Sequence, residues 1–174
     1  MGKQSAGILM FRRTADVVEV FLVHPGGPFW AGKDLASWSI PKGEFGPDED
    51  PLDAAKREFQ EETSCQTVGT LTPLGSLKQP SGKVIHAWAM EGNIDASAVH
   101  SNTFTMEWPP KSGKMQTFPE IDRAAWFDAD TARAKLHKGL IPFIDKLLSW
   151  LGVESRPSQT DGQPRQSATQ QELF

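Results

Sequence analysis

Two runs near the N-terminus, Ser5 to Arg13 (SAGILMFRR) and Val17 to His24 (VVEVFLVH), are apolar and β-branched over most of their length, with a short polar turn between them. Such runs, parted by a turn signal, predict a hairpin of two well-buried strands. Pro25 to Lys33 (PGGPFWAGK) is too dense in glycine and proline to hold regular structure and reads as a loop that frames a cleft. Trp38 to Ile40 follows as a short strand. The period then changes, because Leu52, Ala55 and Phe59 recur at helical spacing. Asp50 suits the N-cap, Pro51 the first helical position where its missing N–H does no harm, and Asp53 the positive end of the helix dipole. A helix is therefore expected from about Pro51, burying Leu52 and Phe59 against a sheet.

Further along, Leu71 to Lys78 and Lys83 to Met90 read as strands around a Pro80-Ser81-Gly82 turn, and Thr103 to Trp108 as another. Trp108 to Lys114 (WPPKSGK) breaks the pattern, after which Phe118 to Phe127 carries the chain into a final strand. Residues 129 to 151 read as one helical stretch, with Leu140, Ile141, Ile144, Leu147, Leu148 and Leu151 at helical spacing beside Lys138 and Lys146, ended by Gly152. From Ser155 the chain turns to Ser, Gln, Pro, Thr and Gly, which have little to bury. The expected organisation is one domain over residues 1–152 and a disordered tail over 153–174. Strands alternating loosely with a few helices give a mixed α/β (α+β) count, which patterning alone does not resolve into a particular fold.

A chain of 174 residues can bury most of its apolar surface in a single core. Its net charge of −4 argues against binding nucleic acid or a membrane surface by bulk charge. One cysteine excludes an internal disulfide framework, no apolar run approaches a membrane span, and the N-terminus lacks a signal peptide, so a cytoplasmic location is expected.

The expected helix carries a second pattern besides its apolar stripe. Glu58, Glu61 and Glu62 lie three and four positions apart and share one sector of its surface. Two readings follow. In open water such a row is a solvated acidic face whose self-repulsion costs a few tenths of a kcal/mol. In a partly enclosed cleft, a pair about 5 to 6 Å apart repels by roughly 3 kcal/mol at an effective dielectric near 20, and a bound cation removes that cost. Hard oxygen ligands of this kind suit Mg²⁺, or Mn²⁺.

Residues 43–65 (GEFGPDEDPLDAAKREFQEETSC) closely resemble the signature of the Nudix hydrolases: Gly, five residues, Glu, seven residues, Arg-Glu, an apolar residue, any residue, Glu-Glu, any residue, Gly, apolar. Gly43, Glu49, Arg57, Glu58, Phe59, Glu61, Glu62 and Cys65 fall in place, and Pro41-Lys42 matches the usual lead-in. Ser64 stands where the family has glycine. Glycine there takes the left-handed conformation that ends a helix, which serine adopts at a cost, so the helix is expected to continue briefly through Ser64.

The resemblance implies an α/β/α sandwich with a mixed sheet, the signature forming a loop-helix-loop metal site beside it. It also implies hydrolysis of a diphosphate linkage in a small nucleotide substrate. Glu58, Glu61 and Glu62 would then be the metal ligands, joined by the carbonyl of Gly43, with Arg57 holding Glu58 through a bidentate pair and Glu49 structural. Glu120, in FPEID, stands where the family often carries an acidic residue that approaches the metals or activates water, and Asp122 competes for that role. Lys42 is placed to touch phosphate.

The words SWSIPKGE and HPGG look most like the branch that splits dinucleoside polyphosphates such as diadenosine tetraphosphate. Enzymes that clear oxidised nucleoside triphosphates share the PKG motif. Pro80, fifteen residues after Cys65, matches the marker proline of the ADP-ribose hydrolases as well as it matches a turn. A catalytically silent nucleotide-binding module is the alternative outside enzymology, although keeping three adjacent carboxylates has no physical motive there. The chain has no tyrosine to stack a base, which leaves Trp30, Trp38 or Trp108 for that task and ordinary packing for Trp88, Trp126 and Trp150. Lys78, Lys83 and His86 flank the Pro80 turn within reach of outer phosphates; for each of them, and for His24, a solvated basic residue is the plainer reading.

Overall fold

A computed structural model describes residues 2–153, so the expected tail beyond Val153 lies outside the described residues. The core is a six-stranded sheet in the order β4-β5-β1-β2-β8, with β3 paired to the start of β1 on the same edge that β2 pairs further along. Its strands are β1 (Gln4–Thr14), β2 (Val17–Pro25), β3 (Lys42–Phe45), β4 (Leu71–Lys78), β5 (Val84–Glu91) and β8 (Ile121–Asp128). β1 and β5 run parallel and the other pairs antiparallel, which makes the sheet mixed. Helix α1 (Pro51–Thr63) covers one face, and α2 (Ala129–Lys135) with α3 (Ile141–Leu151) covers the other.

The unbroken apolar run of β1 follows from this layering. Ile8 and Met10 turn toward Ala54, Ala55 and Phe59 of α1, while Leu9 and Phe11 turn toward Phe143, Ile144 and Leu147 of α3. From Ala6 to Phe11 the strand is buried on both faces and every residue is apolar or glycine. Each fully buried large side chain contributes about 1.5–3 kcal/mol.

The structure departs from the sequence expectations at several places. Trp38 and Ser39 make only isolated bridges, to Leu136 and Val23; the strand beside β1 is β3, starting at Lys42. Phe118 to Phe127 is two strands. Met115–Pro119 (β7) pairs with Thr103–Glu107 (β6) in a separate hairpin, and β8 starts at Ile121, because the backbone of Glu120 between them bonds to Asn102 and Gly26. The 129–151 helix is also two. Leu136 leaves the helical track where His137 N–H donates to the Trp38 carbonyl, and α3 starts afresh at Ile141 with Pro142, which cannot continue a helix from the preceding turn, in its first turn. Trp150 is 51% exposed, its ring edge-on to Phe11, instead of packed away.

Candidate active site

Helix α1 begins as its sequence dictates. The Asp50 side chain accepts from the N–H groups of Leu52 and Asp53 at 3.1 and 3.2 Å, and Pro51 occupies the first turn. It ends differently from expectation. Ser64 takes the left-handed conformation at φ 63° despite its Cβ, and stops the helix. Its hydroxyl donates to the His100 carbonyl, and its N–H donates to the Gln60 carbonyl. Those two bonds offset a backbone cost of order 1–2 kcal/mol.

The exit of α1 is then stitched to the rest of the site by main chain. Asn102 N–H donates to the Glu61 carbonyl at 3.0 Å, and Glu120 N–H donates to the Asn102 carbonyl at 2.8 Å. Gly26 N–H in turn donates to the Glu120 carbonyl at 2.9 Å. A Cβ on Gly26 would lie 2.1 Å from the Pro119 carbonyl oxygen, so the Gly-rich loop can approach β7 this closely only as glycine. This relay, rather than proximity in sequence, brings Glu120 to the acidic face of α1.

On that face Arg57 is the hub. Its fork is bidentate to Glu49, with Nε at 2.8 Å and Nη2 at 3.0 Å, rather than to Glu58 as the resemblance implied. Its Nη1 lies 2.8 Å from Glu58 Oε2 and 3.2 Å from Glu61 Oε2, so one nitrogen serves both carboxylates. The bonds to Glu49, then to Glu58 and Glu61, hold the guanidinium above its ordinary pKa. Gly43 on β3 makes room for this cluster: a Cβ there would lie 2.1 Å from the Glu58 carboxylate.

Burial leaves these acids under strain of charge. Glu58 is shifted upward by burial against the opposing pull of Arg57. Glu62 is pushed up to about 8, by burial first and the Glu58 charge second, although Lys42 N–H donates to its Oε1 at 3.3 Å. Glu120 is raised by burial and then by Glu61. Among the described residues no three of these side chains already close on one coordination point, since the guanidinium stands between Glu58 and Glu61. The donor set nonetheless fits a hard divalent cation: all oxygen, partly enclosed, and with more negative charge than Arg57 and Lys42 neutralise.

Beside the acids opens a cavity of about 600 Å³, bounded by Lys42, Glu62, Lys83, Glu120 and Trp30. Burial, with Lys83 adding to it, pulls the Lys42 ammonium below its ordinary pKa. Lys83 also pairs with Glu44 at 3.6 Å. Trp30 keeps 36% of its surface open, with Lys33 Nζ 5.2 Å from its ring centroid.

Other expected residues are placed elsewhere. Trp38 borders the cavity but is 3% exposed, locked by Phe127 and His24 at 5.0 and 5.2 Å and by a bond from its Nε1 to Asp34, so it has no free face for a base. Lys78 is exposed at the end of the edge strand β4 and does not line the cavity. Trp108 packs its ring against Phe29 at 5.3 Å. His86 bonds to Ser76 and Gln4 on the sheet surface, and His24, expected in solvent, is wholly buried. Asp122 points to His24 instead of the acids of α1. Sequence reasoning missed Asn102, whose role is carried by backbone and leaves no mark on residue type.

The family model of the NUDIX domain matches residues 1–151. The chain belongs to the Nudix family, and it is a Nudix hydrolase acting on phosphorus-containing anhydrides. Among solved structures, an Ap4A hydrolase of C. elegans is similar with a TM-score of 0.58 and 21% identity, over 86% of this chain and 98% of that one. The NUDIX domain of Shewanella oneidensis NrtR, complexed with ADP ribose, is similar with a TM-score of 0.59 and 16% identity, over 87% and 89%. A MutT protein of Methanosarcina mazei follows at 0.54 and 16%, over 86% and 94%. At these identities the likeness is one of fold, and it agrees with the α/β/α layering described above. Among the curated proteins no match is found.

Proposed function

We propose that this Nudix hydrolase cleaves a dinucleoside polyphosphate such as diadenosine tetraphosphate, with Mg²⁺ or Mn²⁺ held by Glu58, Glu61, Glu62 and the Gly43 carbonyl. The observation that carries the reading is the shared opening of acids, lysines and one exposed indole on a single cavity of about 600 Å³. Hydrolysis of a diphosphate linkage asks for charge neutralisation and an in-line water more than for covalent work by the protein. A divalent cation bound by these oxygens supplies the polarisation of the phosphate and an acidified water.

The chain's own residues do the rest. Arg57 orients Glu58 and Glu61 through one nitrogen while its fork to Glu49 keeps the guanidinium from swinging away. Lys42 and Lys83 offset charge on the phosphates not bound by the cation. Glu120 accepts the proton of the attacking water; its upward shift moves its basicity toward the working pH. Trp30 receives a base on its open surface, the task that tyrosine would otherwise fill.

A substrate panel tests this. The purified chain with Mg²⁺ is given diadenosine polyphosphates, ADP-ribose, and normal and oxidised nucleoside triphosphates, and kcat/KM is compared. Diadenosine tetraphosphate is expected to lead. A clear preference for ADP-ribose or for an oxidised triphosphate would overturn the substrate choice and leave the hydrolase.

A further inference from the structure

His24, next to last in β2, has no exposed surface. Its Nδ1 lies 2.8 Å from Asp122 Oδ1, and its Nε2 lies 2.7 Å from the Lys33 carbonyl oxygen. Both partners are acceptors. A bare ring nitrogen at either place would set one lone pair against another, so each nitrogen donates. The surroundings hold the same two partners in place. Arg123 reaches Asp122 at 3.7 Å and the Lys33 carbonyl at 3.5 Å, and the neighbouring Asp34 pairs with Lys135 and accepts from Trp38 Nε1 at 2.9 Å.

These bonds fix the far end of the Pro25–Lys33 loop. The near end is fixed by Gly26 N–H on the Glu120 carbonyl, and the middle by Phe29 against Trp108. Trp30 sits between the middle and far moorings and lines the cavity. We infer that His24 is a positioning residue: by donating from both ring nitrogens it ties Lys33 to Asp122 and thereby sets Trp30 in the cavity wall. The inference rests on the reading that Trp30 receives a base of the substrate. Loss of the ring would leave the Lys33 carbonyl without its principal donor, and the loop would lose its far mooring.

Hydrogen exchange of the backbone amides of residues 26–33, compared between the wild type and the His24→Phe and His24→Gln variants, needs no substrate. Exchange in this segment is expected to quicken by about tenfold or more while α1 keeps its protection. Equal protection in the loop would overturn the inference. Should neither variant fold, nitrogen-detected NMR of the wild-type ring decides: a proton on each nitrogen is expected, and one bare nitrogen contradicts it. In kinetics, His24→Phe and Trp30→Ala should each raise KM by about five- to tenfold, more than they lower kcat, and the double variant should be no worse than the worse single one. Additive effects would show that His24 does not act through Trp30. If no dinucleoside polyphosphate is turned over at all, the substrate reading fails alone, and exchange and ring protonation still decide the role of His24.

Discussion

Helices α1 and α3 cover opposite faces of the same sheet and are built on opposite terms. α3 buries Phe143, Ile144, Leu147 and Leu148 and carries no charged side chain on that face. α1 buries Ala54, Ala55 and Phe59 but also Glu58, and sets Glu61 and Glu62 beside it. Burial and mutual repulsion raise the pKa of Glu58 and Glu62, so in the absence of a cation these acids oppose folding at neutral pH. The contrast separates what holds the molecule together from what it does: α3 is spent on stability, while α1 gives up stability to keep a charged site ready. Functional sites commonly carry this kind of local cost.

The sharpest way to break the comparison is to treat both helices alike. Glu61→Gln should leave the thermal midpoint unchanged or higher while lowering kcat by roughly a thousandfold, since several kcal/mol of charge stabilisation is removed; a variant of full activity would remove Glu61 from the proposed metal site. Phe143→Ala on α3 should do the reverse, costing about 3–5 kcal/mol in denaturant unfolding with kcat per folded molecule kept. A large loss of kcat in the molecules that remain folded would show that the two helices are not separable.

A subtler effect follows from Glu62. Its folded pKa is raised from 4.5 to about 8, so the folded state holds the proton more tightly than the unfolded chain throughout that window. Stability contributed by this group is therefore present at low pH and lost as pH rises from about 4.5 to 8. In metal-free protein, Glu62→Gln should gain in Tm over the wild type as pH rises across that range. A difference that does not change with pH would mean that Glu62 is not held in a low-dielectric place. The smallest expected effect is at the exit of α1. Ser64→Gly relieves the left-handed strain but removes the hydroxyl bond to His100, so urea unfolding should shift by less than about 1 kcal/mol. A larger loss would show that the bond outweighs the strain.

The same contrast explains what could be read beforehand. The core of α3, the start of α1 and the two-faced burial of β1 follow from apolar spacing and capping residues, which act through local or face-averaged physics. The carboxylate row was legible because the metal binding proposed for it needs a fixed residue type at a helical interval. Glu120 was placed by family likeness alone; the structure accounts for its position through the Asn102 backbone, and no residue preference records that bond. Ser64 was misread because the hydroxyl's partner, His100, lies 36 positions away. His24 and Trp38 were misread because the elements that enclose them, β8 and the end of α2, lie far along the chain and leave no mark on the residues around either position.

Catalysis as proposed depends on the acids of α1 gathering a divalent cation. Mn²⁺ binding to metal-stripped protein, followed by electron paramagnetic resonance at pH 8 with wild type and the Glu58→Gln and Glu61→Gln variants, addresses it without any substrate. Saturable binding by the wild type, weakened at least about tenfold in either variant, is the result predicted. Equal binding by all three proteins, or none by the wild type, would contradict it.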